Sequence, residues 1–189
     1  MDDKTYWNTF YNNKLSVSRC SDFCVFIMEY FQNNHNINHV LECGYGDGRD
    51  GYTLSKKYYV YGVDNSGYIP KSENSKLTFS CENFVEMKKD GYDLIYSRFT
   101  FHSITNEQHQ TFLKSINNGT YLVIEARSAK GIDEHVYHGK EHYRNYIDGN
   151  YIKNILNENG FKILLFEEGR DMAKYKDENP ICIRIICKK

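Results

Sequence analysis

The sequence predicts an α/β protein, a mostly parallel sheet with helices on both faces, and three observations carry that prediction. Seven apolar runs of strand length, at 39–43, 58–63, 77–81, 93–97, 121–126, 161–167 and 181–187, are separated by segments with helical periodicity or by turn residues. The first run leads through Glu42 into Gly44-Tyr45-Gly46-Asp47-Gly48, where glycines on alternate positions let the chain turn sharply and bring backbone amides close to a ligand. Strands alternating with helices pair in parallel through crossovers, whereas the last two runs, with no full helix between them, predict an antiparallel pair.

Taken in order, residues 1–35 form an N-terminal helical cap. Its aromatic lead-in, Tyr6, Trp7, Phe10 and Tyr11, suits a short helix or an irregular flap. From Ser21, a suitable N-cap, the residues Phe23, Phe26, Ile27, Tyr30 and Phe31 recur on one helix face, which the Asn33-Asn34-His35-Asn36 cluster ends. A helix is expected at 50–57 after the glycine loop, and 69–76 reads as a loop around Pro70. Thr105 caps a helix near 105–117 that Gly119 breaks, and Gly160 ends another at 150–159. Between them, 127–149 has no clean periodicity and reads as a substrate-side insertion.

At 189 residues, 40% of them hydrophobic, the chain suits one domain spanning 1–189 with a core that needs no staples. A net charge of -1 argues against bulk nucleic-acid binding, and the 17 tyrosines have no basic stripe beside them to make a stacking platform. No apolar run approaches the roughly 20 residues of a membrane span, and the N-terminus lacks a signal pattern, so a cytoplasmic protein is expected. Six cysteines without a CxxC pair or zinc-finger spacing read as reduced, mostly buried thiols, and no metal is implied.

In such sheets ligands bind at the carboxyl ends of the strands. The predicted ends bring together Glu42 to Gly48, Asp64, Glu82 and Asn83, Arg98 and His102, and Arg127. Asp64 lies 20 residues beyond Gly44, the spacing at which a carboxylate accepts from two ribose hydroxyls. A dinucleotide loop wants glycine where Arg49 stands, and Glu42 would repel a pyrophosphate. Glu42 or Asp47 instead suits the ammonium of a methionine moiety, which points to S-adenosyl-L-methionine. Arg98, His102, Arg127, His138, His142 and Arg144 gather basic groups at one mouth, a focus that suits an anionic acceptor. The same side chains also read as ordinary surface or ion-paired residues, with Arg127 held by Glu125. His102 reads equally as a general base or as a core or capping histidine.

The glycine loop, Asp64, Asn83 and the strand–helix context together resemble class I S-adenosylmethionine-dependent methyltransferases over nearly the whole chain. Cys43 departs from the small residue, usually glycine, common at that place. Further strings are similar to the methyltransferases of bacterial surface-polysaccharide loci, particularly the methyltransferase portion of the O-antigen chain-terminating kinase/methyltransferase. These are Tyr6-Trp7, Tyr96-Ser97-Arg98-Phe99 through His102-Ser103-Ile104, Glu125-Ala126-Arg127-Ser128, His142-Tyr143-Arg144 and Glu178-Asn179-Pro180. The resemblance implies a Rossmann-like seven-stranded sheet with the last strand antiparallel. Tyr6 and Trp7 would cover the cofactor; Glu42, Gly44, Gly46, Asp47 and Gly48 would hold its methionine part. Asp64 would take the ribose and Asn83 or Glu82 the adenine edge, with Asn65, Phe84 and Ser97 also at the cofactor. Arg98, His102, Arg127, His142, Tyr143 and Arg144 would bind a small-molecule or glycan-end acceptor, a phosphate or hydroxyl, with Arg98, His102 and Arg127 acting in catalysis. An association with a glycan-assembly enzyme is expected. The alternatives are methylation of an unrelated small molecule, or a cofactor-binding module without chemistry that serves a partner enzyme.

Overall fold

Alternation of apolar side chains along the strands decides the architecture of the computed structural model, which describes residues 3–12, 19–131, 143–175 and 177–189. Leu41, Cys43, Ile95, Leu122 and Ile124 face one side of the sheet, and their neighbours Val40, Leu94, Tyr96 and Val123 face the other. Each face therefore needs a covering layer of helices. All seven predicted strands form: β1 His39–Cys43, β2 Tyr59–Asp64, β3 Leu77–Cys81, β4 Leu94–Arg98, β5 Tyr121–Arg127, β6 Lys162–Gly169 and β7 Cys182–Lys188. They join in one sheet of order β3-β2-β1-β4-β5-β7-β6. The first five strands pair in parallel, and β7 runs antiparallel to both β5 and β6.

Five α-helices complete the described fold: α1 Asp3–Asn12, α2 Asp22–Tyr30, α3 Arg49–Leu54, α4 Asn106–Lys114 and α5 Gly149–Glu158. The aromatic lead-in is thus helical. Helices α4 and α5 bury Phe112, Leu113, Ile152, Ile155 and Leu156 on one face of the sheet; α2 and α3 bury Phe23, Cys24, Ile27 and Leu54 on the other. Of the apolar face read from the sequence, Phe23, Ile27 and Phe31 are buried, while Tyr30 lies exposed at the margin. Thr105 and Gln108 close a reciprocal capping box on α4. Helix α3 ends three residues short of the expected Lys57. There the chain tightens, with Lys57 N–H donating to Leu54 O, and turns buried Tyr58 under the sheet to start β2. All six cysteines are free thiols. Within the predicted insertion, residues 132–142 lie outside the described residues; Ser128 and Ile147 on its flanks form an isolated bridge.

One buried acid ties the N-terminal cap to this sheet. Asp50, in the first turn of α3, accepts from Ser21 N–H at 2.7 Å, from Ser21 Oγ at 2.7 Å and from Tyr96 Oη at 2.8 Å. Ser21 Oγ in turn accepts from Cys24 N–H, so the residue that starts α2 is the one that Asp50 holds. Further out, Asn8 of α1 accepts from the Gly67 amide beyond β2. Removing the Asp50 carboxylate strands three buried donors at roughly 1–3 kcal/mol apiece before relaxation. Asp50→Ala is expected to lower the unfolding free energy by about 3 kcal/mol, and Asp50→Asn, which keeps one acceptor oxygen, by about half as much. Urea unfolding checks both, and a loss below about 1 kcal/mol for Asp50→Ala would count against this linkage.

Candidate functional site

The carboxyl ends of β1, β2, β4 and β5 open into a cavity of 740 Å³. It sits beside β1, where the strand order reverses and an open sheet leaves a crevice. Backbone geometry makes the floor. Gly44, Gly46 and Gly48 all have positive φ, at 75°, 58° and 82°. A Cβ at Gly44 would lie 2.0 Å from the Thr100 methyl, and one at Gly48 would lie 2.8 Å from Phe79, so no larger residue fits at either place.

Two carboxylates flank this loop. Glu42 is 2% exposed, and its Oε2 has no partner among the described residues. Burial, then the negative charges of Asp50, Asp47 and Asp64, hold its carboxyl well above the usual carboxylate range, and the Gly51 amide pulls back only in part. A buried acid with an unsatisfied oxygen is the natural partner of an ammonium group. Asp64 accepts from the Gly46 amide at 3.0 Å and from the Ser66 amide at 2.8 Å, one bond to each oxygen. A carboxylate offers about four lone-pair sites, so Asp64 keeps room for two hydroxyl donors from the cavity. Beyond β3, Asn83 Oδ1 accepts from Val85 N–H, leaving its amide nitrogen without a partner among the described residues. Phe84 follows it at the cavity, with its ring packed edge-on against Phe112 of the core at 5.8 Å. Trp7 of α1 reaches the same cavity, with Tyr6 packed edge-on against it at 5.1 Å. Ammonium, diol and planar base each find a complementary group along one wall, which fits S-adenosylmethionine.

On the other side, Arg98 and Arg127 do not stand free. Arg98 Nε donates to Glu125 Oε1 at 3.0 Å, and Arg184 Nε donates to Glu125 Oε2 at 2.7 Å. Arg127 pairs instead with Glu178 at 2.7 Å. The ion pair envisaged between Arg127 and Glu125 is therefore not the one that forms. Residues two apart on a strand lie about 7 Å from each other, whereas register partners across strands lie about 5 Å apart. Arg98, Glu125 and Arg184 are such partners on β4, β5 and β7. Burial is the largest influence and works against the Arg98 charge, but Glu125, Tyr96 and Asp50 together outweigh it and raise the Arg98 pKa, so the guanidinium stays protonated. Six arginines and lysines and six carboxylates line the cavity among the described residues, so its walls are charge-balanced rather than basic.

Phe99, between these arginines, has φ 58°, a conformation that costs a non-glycine residue about 1–3 kcal/mol. Its ring lies 4.4 Å from the Arg98 guanidinium and 5.7 Å from that of Arg127. His102, 7% exposed, accepts from the Arg127 backbone N–H through Nδ1 at 3.3 Å. That bond needs the Nδ1 lone pair, so neutral His102 carries its proton on Nε2 and acts as a donor there.

Of the residues singled out in the sequence, Trp7, Glu42, Gly44, Gly46, Asp47 and Asp64 line the cavity, as do Asn65, Asn83, Phe84, Arg98, His102 and Arg127. Tyr143 and Arg144 reach its rim. Tyr6, Gly48, Glu82 and Ser97 do not line it. Glu82 accepts from the Tyr61 hydroxyl, and buried Ser97 is joined to Thr100. His138 and His142 lie outside the described residues. Sequence reasoning passed over Asp50, Ser66, Thr100 and Arg184. Ser66 Oγ is buried at the cavity without a partner among the described residues, and nothing in the sequence marks it. Asp50 had a visible signal, an acid in the first turn of the helix that follows the glycine loop.

No family model matches the chain, and no curated protein does. Solved structures do. An S-adenosylmethionine-dependent methyltransferase from Anabaena variabilis superposes with a TM-score of 0.73 at 18% identity, over 98% of this chain and 92% of that one. Magnesium protoporphyrin IX methyltransferase from Synechocystis, solved with bound S-adenosylmethionine, gives 0.69 at 14% identity over 98% and 97%. The Burkholderia thailandensis 1,6-didemethyltoxoflavin-N1-methyltransferase, solved with 1,6-didemethyltoxoflavin and S-adenosylhomocysteine, gives 0.65 at 13% identity over 99% and 79%. At such identities the likeness is one of architecture: this chain has the Rossmann-like fold of the class I S-adenosylmethionine-dependent methyltransferases.

Proposed function

We propose that the protein is an S-adenosylmethionine-dependent O-methyltransferase acting on a small or glycan-linked anionic acceptor. The observation that carries this reading is the pair of carboxylates around the glycine loop: Glu42, buried with an unsatisfied oxygen, and Asp64, each of whose oxygens is held by a backbone amide. When bound, the cofactor supplies an electrophilic methyl on a sulfonium. Glu42 holds the ammonium, Asp64 the ribose diol, and Asn83 with Phe84 the base, while Trp7 covers the site and excludes water.

Three features support an anionic oxygen as acceptor. Arg98 engages Glu125 only through Nε, and its terminal amino groups make no hydrogen bond among the described residues. The Arg98–Glu125–Arg184 cluster carries one surplus positive charge. His102, with Nδ1 committed to the Arg127 amide, serves as a donor that orients the acceptor, not as a base that deprotonates it. A phosphate, whose second pKa is about 6, needs no base at neutral pH, and alignment supplies most of the rate. The surface-polysaccharide setting rests on the resemblance of the strings around Arg98, Arg127 and Arg144. Release of S-adenosylhomocysteine in the presence of phosphorylated and unphosphorylated glycan acceptors tests the reading, with turnover expected on the phosphorylated set. Tight cofactor binding with no turnover on either would overturn the glycan-acceptor reading and leave an unrelated small-molecule acceptor or a binding module without chemistry.

Two variants test the cofactor half. Asp64→Ala strands two ribose hydroxyls and is expected to weaken S-adenosylhomocysteine binding at least tenfold, or about 1.4 kcal/mol. A calorimetric affinity within about twofold of wild type would refute the assignment. Glu42 pairs with an ammonium only when ionised, and its carboxyl is held well above the usual range. Binding is therefore expected to weaken as the pH falls below neutrality, where the ligand ammonium stays charged. Glu42→Gln should bind weakly and flatten that dependence; an unchanged slope in the variant would place the titration elsewhere.

A further inference from the structure

The acceptor-side guanidiniums are held by carboxylates on β5 and the β6–β7 connection, and this arrangement has a function beyond stability. Glu125 is fully buried at the centre of β5, and both its oxygens are taken by arginines from the neighbouring strands in direct register. It grips Arg98 by Nε alone. Arg184, which holds the other oxygen, also donates through its Nη2 to Met172 O at 2.6 Å, and its guanidinium lies 5.1 Å from the Phe26 ring of α2. Arg184 is thus fixed at three points and cannot leave Glu125. The Arg98 guanidinium is constrained twice, by the Nε bond to Glu125 and by the Phe99 ring 4.4 Å away, and Arg98 lines the cavity.

We propose that Glu125, locked by Arg184, is a positioning residue that aims Arg98 at an anionic group of the acceptor. The proposal rests on the acceptor-binding reading of Arg98 given above. The Arg–Glu–Arg row sets where the charge of Arg98 points, whereas its stability contribution is small. Removing one partner of a buried ion pair is costly, but the intact pair adds little over an apolar substitute of the same volume. It also ties the β6–β7 connection to the site. Met172 is held by Arg184, and Glu178 by Arg127, so the wall formed by Lys174 and Tyr175 is hung between the two ion pairs.

Inorganic phosphate serves as the probe anion, titrated into the full chain loaded with S-adenosylhomocysteine. The Arg98 Nε–H resonance, assigned by its loss in Arg98→Lys, is expected to shift with phosphate in the wild type. In Glu125→Gln, phosphate affinity should fall about tenfold while S-adenosylhomocysteine affinity stays within about twofold, and Glu125→Asp should recover most of the loss. If both affinities fall together, if Glu125→Asp recovers nothing, or if phosphate leaves the wild-type resonance unmoved, the proposal is overturned. Should Glu125→Gln not fold, the wild type still decides. Its Arg98 Nε–H should exchange with solvent at least about tenfold more slowly than that of Arg19, whose side chain is 78% exposed, and equal rates overturn the relay. That exchange needs no ligand. Absent S-adenosylhomocysteine binding with slow exchange therefore sinks the methyltransferase reading alone, and intact binding with fast exchange sinks the relay alone.

Discussion

The Asp50 carboxylate decides where the N-terminal cap sits. Buried between α2, α3 and β4, it takes both donors of Ser21 and the hydroxyl of Tyr96. Placement follows from satisfaction: a buried carboxylate without donors costs several kcal/mol, so the chain entering α2 stays where Ser21 can reach it. Because Asp50 lies two residues beyond Gly48, the entry to α2, which lines the cavity, is registered to the loop that forms its floor. Asp50 also sits near Glu42 and raises its proton affinity. One residue thus couples the cap, the loop and the electrostatics of Glu42.

Across the cavity the governing constraint is charge pairing in register. A mouth rich in arginine would hold anions loosely and without direction, with long side chains free to fold back to water. Here Arg98 and Arg127 each face a partly or fully buried carboxylate, so their charge is largely balanced while their geometry is fixed.

Much of this was legible in the chain. The strands lie within two residues of where apolar runs placed them, because buried parallel strands read as continuous apolar stretches bounded by glycine and polar residues. Ser21 and Thr105 cap helices as their spacing implied. The glycine loop, Asp64, Asn83 and Phe84 meet in one cavity, since a doubly wound sheet sends successive strand ends to one edge. Ion-pair partners were not legible. Arg127 and Glu125 are near in sequence, yet pairing follows the register of β4, β5 and β7, and a register between strands 27 and 59 residues apart leaves no local trace. The shorter α3 and the exposed Tyr30 reflect the same limit, because tertiary packing chooses among local options of similar cost.

The floor and the acceptor wall also fit into each other through backbone shape. Gly44 leaves the space that the Thr100 methyl occupies, and Thr100 follows directly on Phe99, whose positive φ turns the chain after β4. A side chain at Gly44 would push that turn away, and a relaxed Phe99 would swing its ring out from between Arg98 and Arg127. The loops after β1 and β4, which meet at the cavity, therefore cannot change shape independently. Strain of this kind persists only where the surroundings over-determine it, and here they do: Phe99 N–H donates to Glu125 O at 2.7 Å, and Ser103 N–H to Thr100 O at 2.9 Å. The spacing of these two loops across the cavity is thus set by backbone, which is the least adjustable part of the molecule.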